Sequence, residues 1–156
     1  MVKFIKNIIL KLIYAIVFTY ILVFVPVIIG YKPLVVLSGS MEPILKVGGI
    51  LYYQKINIED YKKGDILVYA TKDHIISHRI VDITSDGFIT KGDNNKVLDS
   101  RVNLNQVLGK GTNFSIPYIG YYADFIYNHK YILYFFTIYI VIDLINYNIN
   151  NRSKNE

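Results

Sequence analysis

The chain has no cysteine among its 156 residues. A disulfide framework, a thiolate nucleophile and a cysteine-based zinc site are therefore excluded, while the compartment stays open. Internal repeats, low-complexity tracts and a glycine-rich phosphate loop are also absent, which removes solenoid and nucleotide-phosphate readings. Acidic residues are missing from the first 30 positions, where Lys3, Lys6 and Lys11 are the only charges. The formal net charge of +5 is thus unevenly placed. Residues 31–145 hold 12 basic and 11 acidic side chains, and the tail 146–156 holds Arg152, Lys154 and Glu156. Excess positive charge at both ends, beside apolar segments, is the pattern of membrane flanks. It does not make the basic groove of a nucleic-acid binder, and no nucleic-acid partner is expected.

What is present begins with an apolar run. Leu12 to Gly30 is 19 residues without a charge. At about 1.5 Å per residue it nearly crosses a hydrocarbon core of about 30 Å, and Ile8 to Leu10 can extend it if Lys11 snorkels. A cleaved signal peptide would share the basic start, but Gly30-Tyr31-Lys32-Pro33 is not a small-residue cleavage site. The expected organisation is a basic cytoplasmic N-terminus (1–11), a transmembrane anchor (12–30), an extracytoplasmic domain (31–130), a second transmembrane helix (131–145) and a cytoplasmic tail (146–156). The second run, Tyr131 to Ile142 with Asp143 interrupting before Leu144 and Ile145, is short for a span. An interfacial or packed helix is the competing reading. The basic tail favours a crossing, and the middle segment stays outside in either case.

The middle segment reads as short strands punctuated by turns, a small and mostly β domain. Strands are expected at Leu34 to Leu37, Ile50 to Gln54, Asp65 to Tyr69, Ile75 to Ile83, Phe88 to Lys91 and Val107 to Thr112. Lys63-Gly64 and Ser85-Asp86-Gly87 supply turns. Near its end, Ile116-Pro117-Tyr118-Ile119-Gly120-Tyr121-Tyr122 is either core plus turn or an aromatic edge at the membrane interface.

The stretch with the clearest chemical potential is Leu37-Ser38-Gly39-Ser40-Met41-Glu42-Pro43. Glycine and proline together make a rigid turn that presents Ser40. A serine nucleophile needs a base and a group that orients the base. Of three histidines, His129 reads as an interfacial polar residue and His74, in Lys72-Asp73-His74, as solvated surface. His78 lies inside the strand-like run Ile75-Ile76-Ser77-His78-Arg79-Ile80-Val81. A lone strand histidine is more often structural than catalytic, so spacing alone does not assign it. Lys91-Gly92-Asp93-Asn94-Asn95 and then Asp99 form a polar loop. It is an ordinary turn, a weak cation site without EF-hand spacing, or the source of an acid that orients His78.

Together, Ser-Gly-Ser-Met-Glu-Pro, Ser-His-Arg-Ile and Lys-Gly-Asp-Asn-Asn followed by Asp99 resemble type I signal peptidases. They are most similar to the branch found in archaea, the endoplasmic reticulum and some Gram-positive spore formers. The resemblance covers roughly Val35 to Gly120 plus the anchor and includes Pro117-Tyr118-Ile119-Gly120. In the bacterial-type branch a lysine stands where this chain has His78. The resemblance implies a small β-sheet catalytic domain of the signal-peptidase type. It implies Ser40 as nucleophile, His78 as general base, Asp99 as the orienting acid, Asp93 as a second acid and Ser38 as an oxyanion-hole hydroxyl. Exported preproteins cut after small residues, a lipid bilayer and proximity to the secretion translocon are the implied partners, and no metal or organic cofactor is implied. Two positions depart from the family pattern. Gly49 stands where Gly-Asp is usual, and Leu98 replaces an acid often found before the triad aspartate.

Two other readings compete. Repressor-type self-cleaving peptidases share the β architecture but use lysine and carry a DNA-binding domain. A catalytically silent, membrane-tethered β-domain that binds exported proteins needs no triad at all.

Overall fold

The computed structural model describes residues 2–152. The first residue of the expected N-terminus and residues 153–156 of the expected tail lie outside the described residues. The chain divides into two compact units, a β unit of Pro26–Tyr122 and a helical unit from the segments on either side of it in sequence.

Helix α1 spans Val2–Ile28 and contains Pro26. Its part Asn7–Ile28 is 22 residues with mean hydropathy 2.6, long and apolar enough to cross a membrane. At about 1.5 Å per residue this is about 33 Å, a full hydrocarbon thickness. Leu12, Phe18, Ile21 and Leu22 are exposed along it, an apolar surface that suits lipid. The helix therefore starts earlier than the expected anchor at 12, because Lys11 falls within its turns without breaking them. It closes with Gly30 N–H on Val27 O and Tyr31 N–H on Pro26 O.

At the other end of the chain, α2 spans Ile119–Asn128 and α3 spans Lys130–Arg152. Helix thus begins at Ile119, inside the segment 31–130. The apolar part of α3 is Tyr134–Asn146. That length, about 20 Å, is short of a hydrocarbon core of about 30 Å.

The mostly-β expectation is met by one curled, antiparallel, seven-stranded sheet. Its strands are β1 (Lys32–Val35), β2 (Ile50–Gln54), β3 (Ile66–Ala70), β4 (Ile75–Thr84), β5 (Gly87–Lys91), β6 (Val102–Asn103) and β7 (Val107–Gly111). They lie in the order β1-β2-β7-β3-β4-β5-β6. The two-residue β6 was not expected, since it is too short to show periodicity.

Strand β3 is Ile66-Leu67-Val68-Tyr69-Ala70, an unbroken apolar run. Successive strand residues face opposite sides, so such a run implies burial on both. Ile66 and Val68 join Val36, Met41, Leu45 and Leu51 in one core cluster. Leu67 and Tyr69 join Tyr61, Ile80, Phe88 and Val102 in another. β4 shows the complementary pattern, its apolar and polar residues mixed because only part of it is covered.

Gly48 and Gly49 close the path from β1 back to β2, with Gly48 N–H on Val36 O and Val36 N–H on Gly49 O. Gly48 has φ +74, and a Cβ there would lie 2.1 Å from the Tyr121 ring. A side chain is thus opposed by both backbone and space. At Gly49 a Cβ would meet the Lys46 carbonyl at 2.9 Å, which gives the departure from Gly-Asp a packing reason.

Two outcomes follow for stability. Gly48→Ala lowers the unfolding free energy by more than about 1 kcal/mol in denaturant titration of the detergent-solubilised chain. Tyr61 is 4% exposed, and its hydroxyl has no hydrogen-bond partner among the described residues. Burial, with the Asp65 charge behind it, pushes this phenol up to about 12. Its value in the folded state therefore lies above the unfolded value of about 10. The folded chain holds the proton longer, so stability is complete below about pH 10 and declines as pH rises toward 12. Tyr61→Phe should be at least as stable at neutral pH and should lose less between pH 10 and 12. A steeper alkaline loss in the variant would contradict this.

Candidate active site

After β1 the chain stays extended through Ser38 (φ −131, ψ 157) and then makes one turn of 3-10 helix, Gly39–Met41. Met41 and Leu45 are fully buried, so this turn is bolted to the core by the apolar residues that follow the serines. The hydroxyls of Ser38 and Ser40 lie 3.2 Å apart.

His78 arrives on β4, paired with Leu67 of β3, and is 7% exposed. Its Nε2 is 3.0 Å from Ser40 Oγ, and its Nδ1 is 2.5 Å from Asp99 Oδ2. An ionised carboxylate only accepts hydrogen bonds. This geometry suits the tautomer in which Nδ1–H donates to Asp99 and Nε2 accepts from the Ser40 hydroxyl. Three residues 38 and 21 positions apart in sequence thus form one hydrogen-bonded line.

Asp99 is itself held. Its backbone N–H donates to Thr90 O at 2.8 Å, which ties the loop to β5. Its Oδ2 accepts from Thr90 Oγ1 at 2.7 Å and from the Tyr69 hydroxyl at 3.4 Å. Burial, and behind it the Asp99 charge, push the Tyr69 phenol above its ordinary value, so it stays protonated and remains a donor.

Asp93 goes elsewhere. Its two carboxylate oxygens accept from Arg79 Nε at 2.7 Å and from the second guanidinium nitrogen at 2.6 Å, a forked pair. The third guanidinium nitrogen donates to Gly64 O at 2.6 Å. Hydrogen bonding to Asp93, with its charge, holds the Arg79 pKa above its ordinary value against partial burial. Adjacent strand residues point to opposite faces, so His78 and Arg79 direct the two acids of one loop to different partners.

The same loop closes on the serine turn. Asn94 N–H donates to Ser40 O at 2.8 Å, and Asn94 Nδ2 donates to Gly39 O at 3.2 Å. A Cβ at Gly92 would lie 2.7 Å from Ser40 O, so only glycine permits this approach.

Ser40 and His78 open onto a groove of about 740 Å³. One wall is the chain from Leu34 to Ser38, and the other runs from Asp73 to His78. β1 pairs only with β2, and β5 pairs with β4 only from Arg79 onward. Both walls therefore carry unpaired strand edge.

The expected site residues thus fall into two groups. Ser38, Ser40, His78 and Asp99 come together, and Asp93 lies in the same loop but binds Arg79. His74 is exposed, as expected, and also lines the far end of the groove. His129 hydrogen bonds the Phe125 carbonyl and stacks on the Phe125 ring. Thr90, Tyr69 and Arg79 received no role from the sequence. Thr90 carried a weak signal as a hydroxyl inside an apolar strand. Tyr69 and Arg79 entered as members of the strands expected at Asp65 to Tyr69 and Ile75 to Ile83.

No family model matches the chain. Named proteins do. Signal peptidase I W of Bacillus subtilis (strain 168) is 35% identical over 130 residues, 74% of this chain and 68% of the relative. The signal peptidase complex catalytic subunit sec11 of Sclerotinia sclerotiorum is 34% identical over 113 residues, 63% of this chain and 65% of the relative. The signal peptidase complex catalytic subunit SEC11C of Homo sapiens is 33% identical over 101 residues, 55% of this chain and 52% of the relative. The chain thus spans about two thirds of the first two and about half of the third.

The Arg79–Asp93 pair can be measured in a double-mutant cycle of Arg79→Ala and Asp93→Ala, read by denaturant unfolding. For a forked, partly buried pair the expected coupling is about 1–3 kcal/mol. A coupling below about 0.5 kcal/mol would mean that solvent screens it.

Proposed function

The chain belongs to the type I signal peptidases, in the branch of the endoplasmic-reticulum and archaeal enzymes, and on that premise we propose how its own residues cut a preprotein. It is a serine endopeptidase, and the reaction is hydrolysis of one peptide bond in an exported preprotein. Ser40 Oγ attacks the scissile carbonyl while His78 Nε2 takes its proton. His78 then gives that proton to the leaving amine, and a water repeats the sequence on the acyl-enzyme. Asp99 keeps the imidazole in the tautomer with Nδ1–H and stabilises the imidazolium. The Ser40 N–H and the Ser38 hydroxyl bind the oxyanion, where loss of one donor costs about 3–4 kcal/mol in other serine enzymes. Asp93 supports the site through Arg79.

The observation that most favours this reading is the line from Ser40 Oγ through His78 to Asp99, ending at the groove. The unpaired edges along the groove suit an extended peptide added as a strand. In such a peptide the residues one and three positions before the cut share a face, so one wall reads both. Small side chains there fit the family.

On this reading the start of α1 lies in the cytoplasm and the β unit on the outer face of the cell membrane, which the basic N-terminus favours. The same reading takes the whole of α3, 23 residues or about 35 Å, as a second crossing that ends in the cytoplasm. A signal peptide's apolar stretch would share the bilayer with α1, which raises its effective concentration near the secretion machinery without new contacts.

The test is cleavage of a defined preprotein by the full chain in detergent. Ser40→Ala should abolish it, and undiminished cleavage would sink the assignment in favour of a silent binding domain. Asp99→Ala should be inactive and Asp93→Ala only weakened. The reverse order would show that the orienting acid is Asp93.

A further inference from the structure

Asn94 makes two hydrogen bonds to the serine turn, and both land on peptide carbonyls that flank Ser40. The Gly39–Ser40 peptide is trans, since the only cis bond among the described residues is Glu42–Pro43. In a trans peptide the C=O and the N–H point in opposite directions from one rigid plane. Whatever holds the Gly39 carbonyl therefore aims the Ser40 N–H. Asn94 Nδ2 holds that carbonyl at 3.2 Å, with the Glu42 N–H sharing it at 3.1 Å. Asn94's backbone N–H holds the next carbonyl, Ser40 O, at 2.8 Å and so fixes the following plane. Ser40 lies in the first turn of its short helix, where N–H groups lack partners within the helix and stay available.

We propose that Asn94 is a positioning residue for oxyanion stabilisation: its side-chain amide orients the Gly39–Ser40 peptide so that the Ser40 N–H faces the developing charge. The inference rests on the function proposed above and deepens it. It explains why the loop that carries both acids comes so close that position 92 has room only for glycine. One loop then serves two ends of the reaction, Asp99 through the base and Asn94 through the oxyanion donor. Asn94 touches neither substrate nor His78 in this scheme, so it acts only through the peptide plane it holds.

The inference separates from a general structural role by kinetics. Asn94→Asp keeps the shape but replaces the donor with an acceptor that repels the Gly39 carbonyl. Asn94→Ala removes the side-chain donor and keeps the backbone one. With the full chain in detergent and a defined preprotein, kcat should fall about tenfold to a hundredfold for Asn94→Asp and less for Asn94→Ala. KM should stay within about twofold, because the bond matters only when charge develops. The pH profile of kcat/KM should keep its shape in Asn94→Ala, which adds no charge and leaves the base untouched. A change confined to KM, a shifted profile in Asn94→Ala, or wild-type kcat in both variants would overturn the inference. If Asn94→Asp does not fold, Asn94→Ala decides by the same criteria. Wild-type cleavage lost in Ser40→Ala but unchanged in both Asn94 variants would defeat this inference alone. Cleavage that survives Ser40→Ala would defeat the function beneath it.

Discussion

Burial of β3 on both faces is the constraint on which the rest of the β unit depends. Burying each of its large apolar side chains contributes about 1.5–3 kcal/mol, so the strand cannot shift register without exposing several at once. Leu67 pairs with His78 and sets where the imidazole stands. Ile66 and Val68 share a core cluster with Met41 and Leu45, which fasten the serine turn. Tyr69, from the opposite face, reaches Asp99. The three residues proposed as the triad are thus located by one strand that contributes none of them.

The polar side of the site follows a division of partners. Two carboxylates six positions apart in one loop would repel each other if they shared a partner. Here one meets an imidazole and the other a guanidinium. A guanidinium is always charged, so Asp93–Arg79 is a fixed strut whose forked geometry holds the loop. An imidazole can hydrogen bond at both ring nitrogens, so His78 links Asp99 on one side to Ser40 on the other. The Asn94 bonds and the close approach at Gly92 keep this loop pressed to the serine turn, so Ser40, His78 and Asp99 share one frame.

Much of this was legible. β2 was read to the residue, and the expected strands of β3, β4, β5 and β7 differ from those observed only near their ends, because alternation and turn residues are local signals. Ser40, His78, Asp99 and Asp93 were singled out as a set through resemblance, whereas spacing alone left His78 a structural strand residue. The two-residue β6 and the helix α2 were not read. A strand that short has no period, and α2 begins beside Pro117 and Gly120, which look like turn residues.

The sequence by itself determined the apolar N-terminal helix, the β character of the middle and the identity of the chemical groups, because composition and period are properties of neighbours along the chain. Only the tertiary structure decided which acid meets His78, what holds Asp99, and why Arg79 and Asn94 matter. Those choices depend on strand order and on one loop folding back over the serine turn. Such contacts join residues 9 to 55 positions apart, beyond the period of any local pattern.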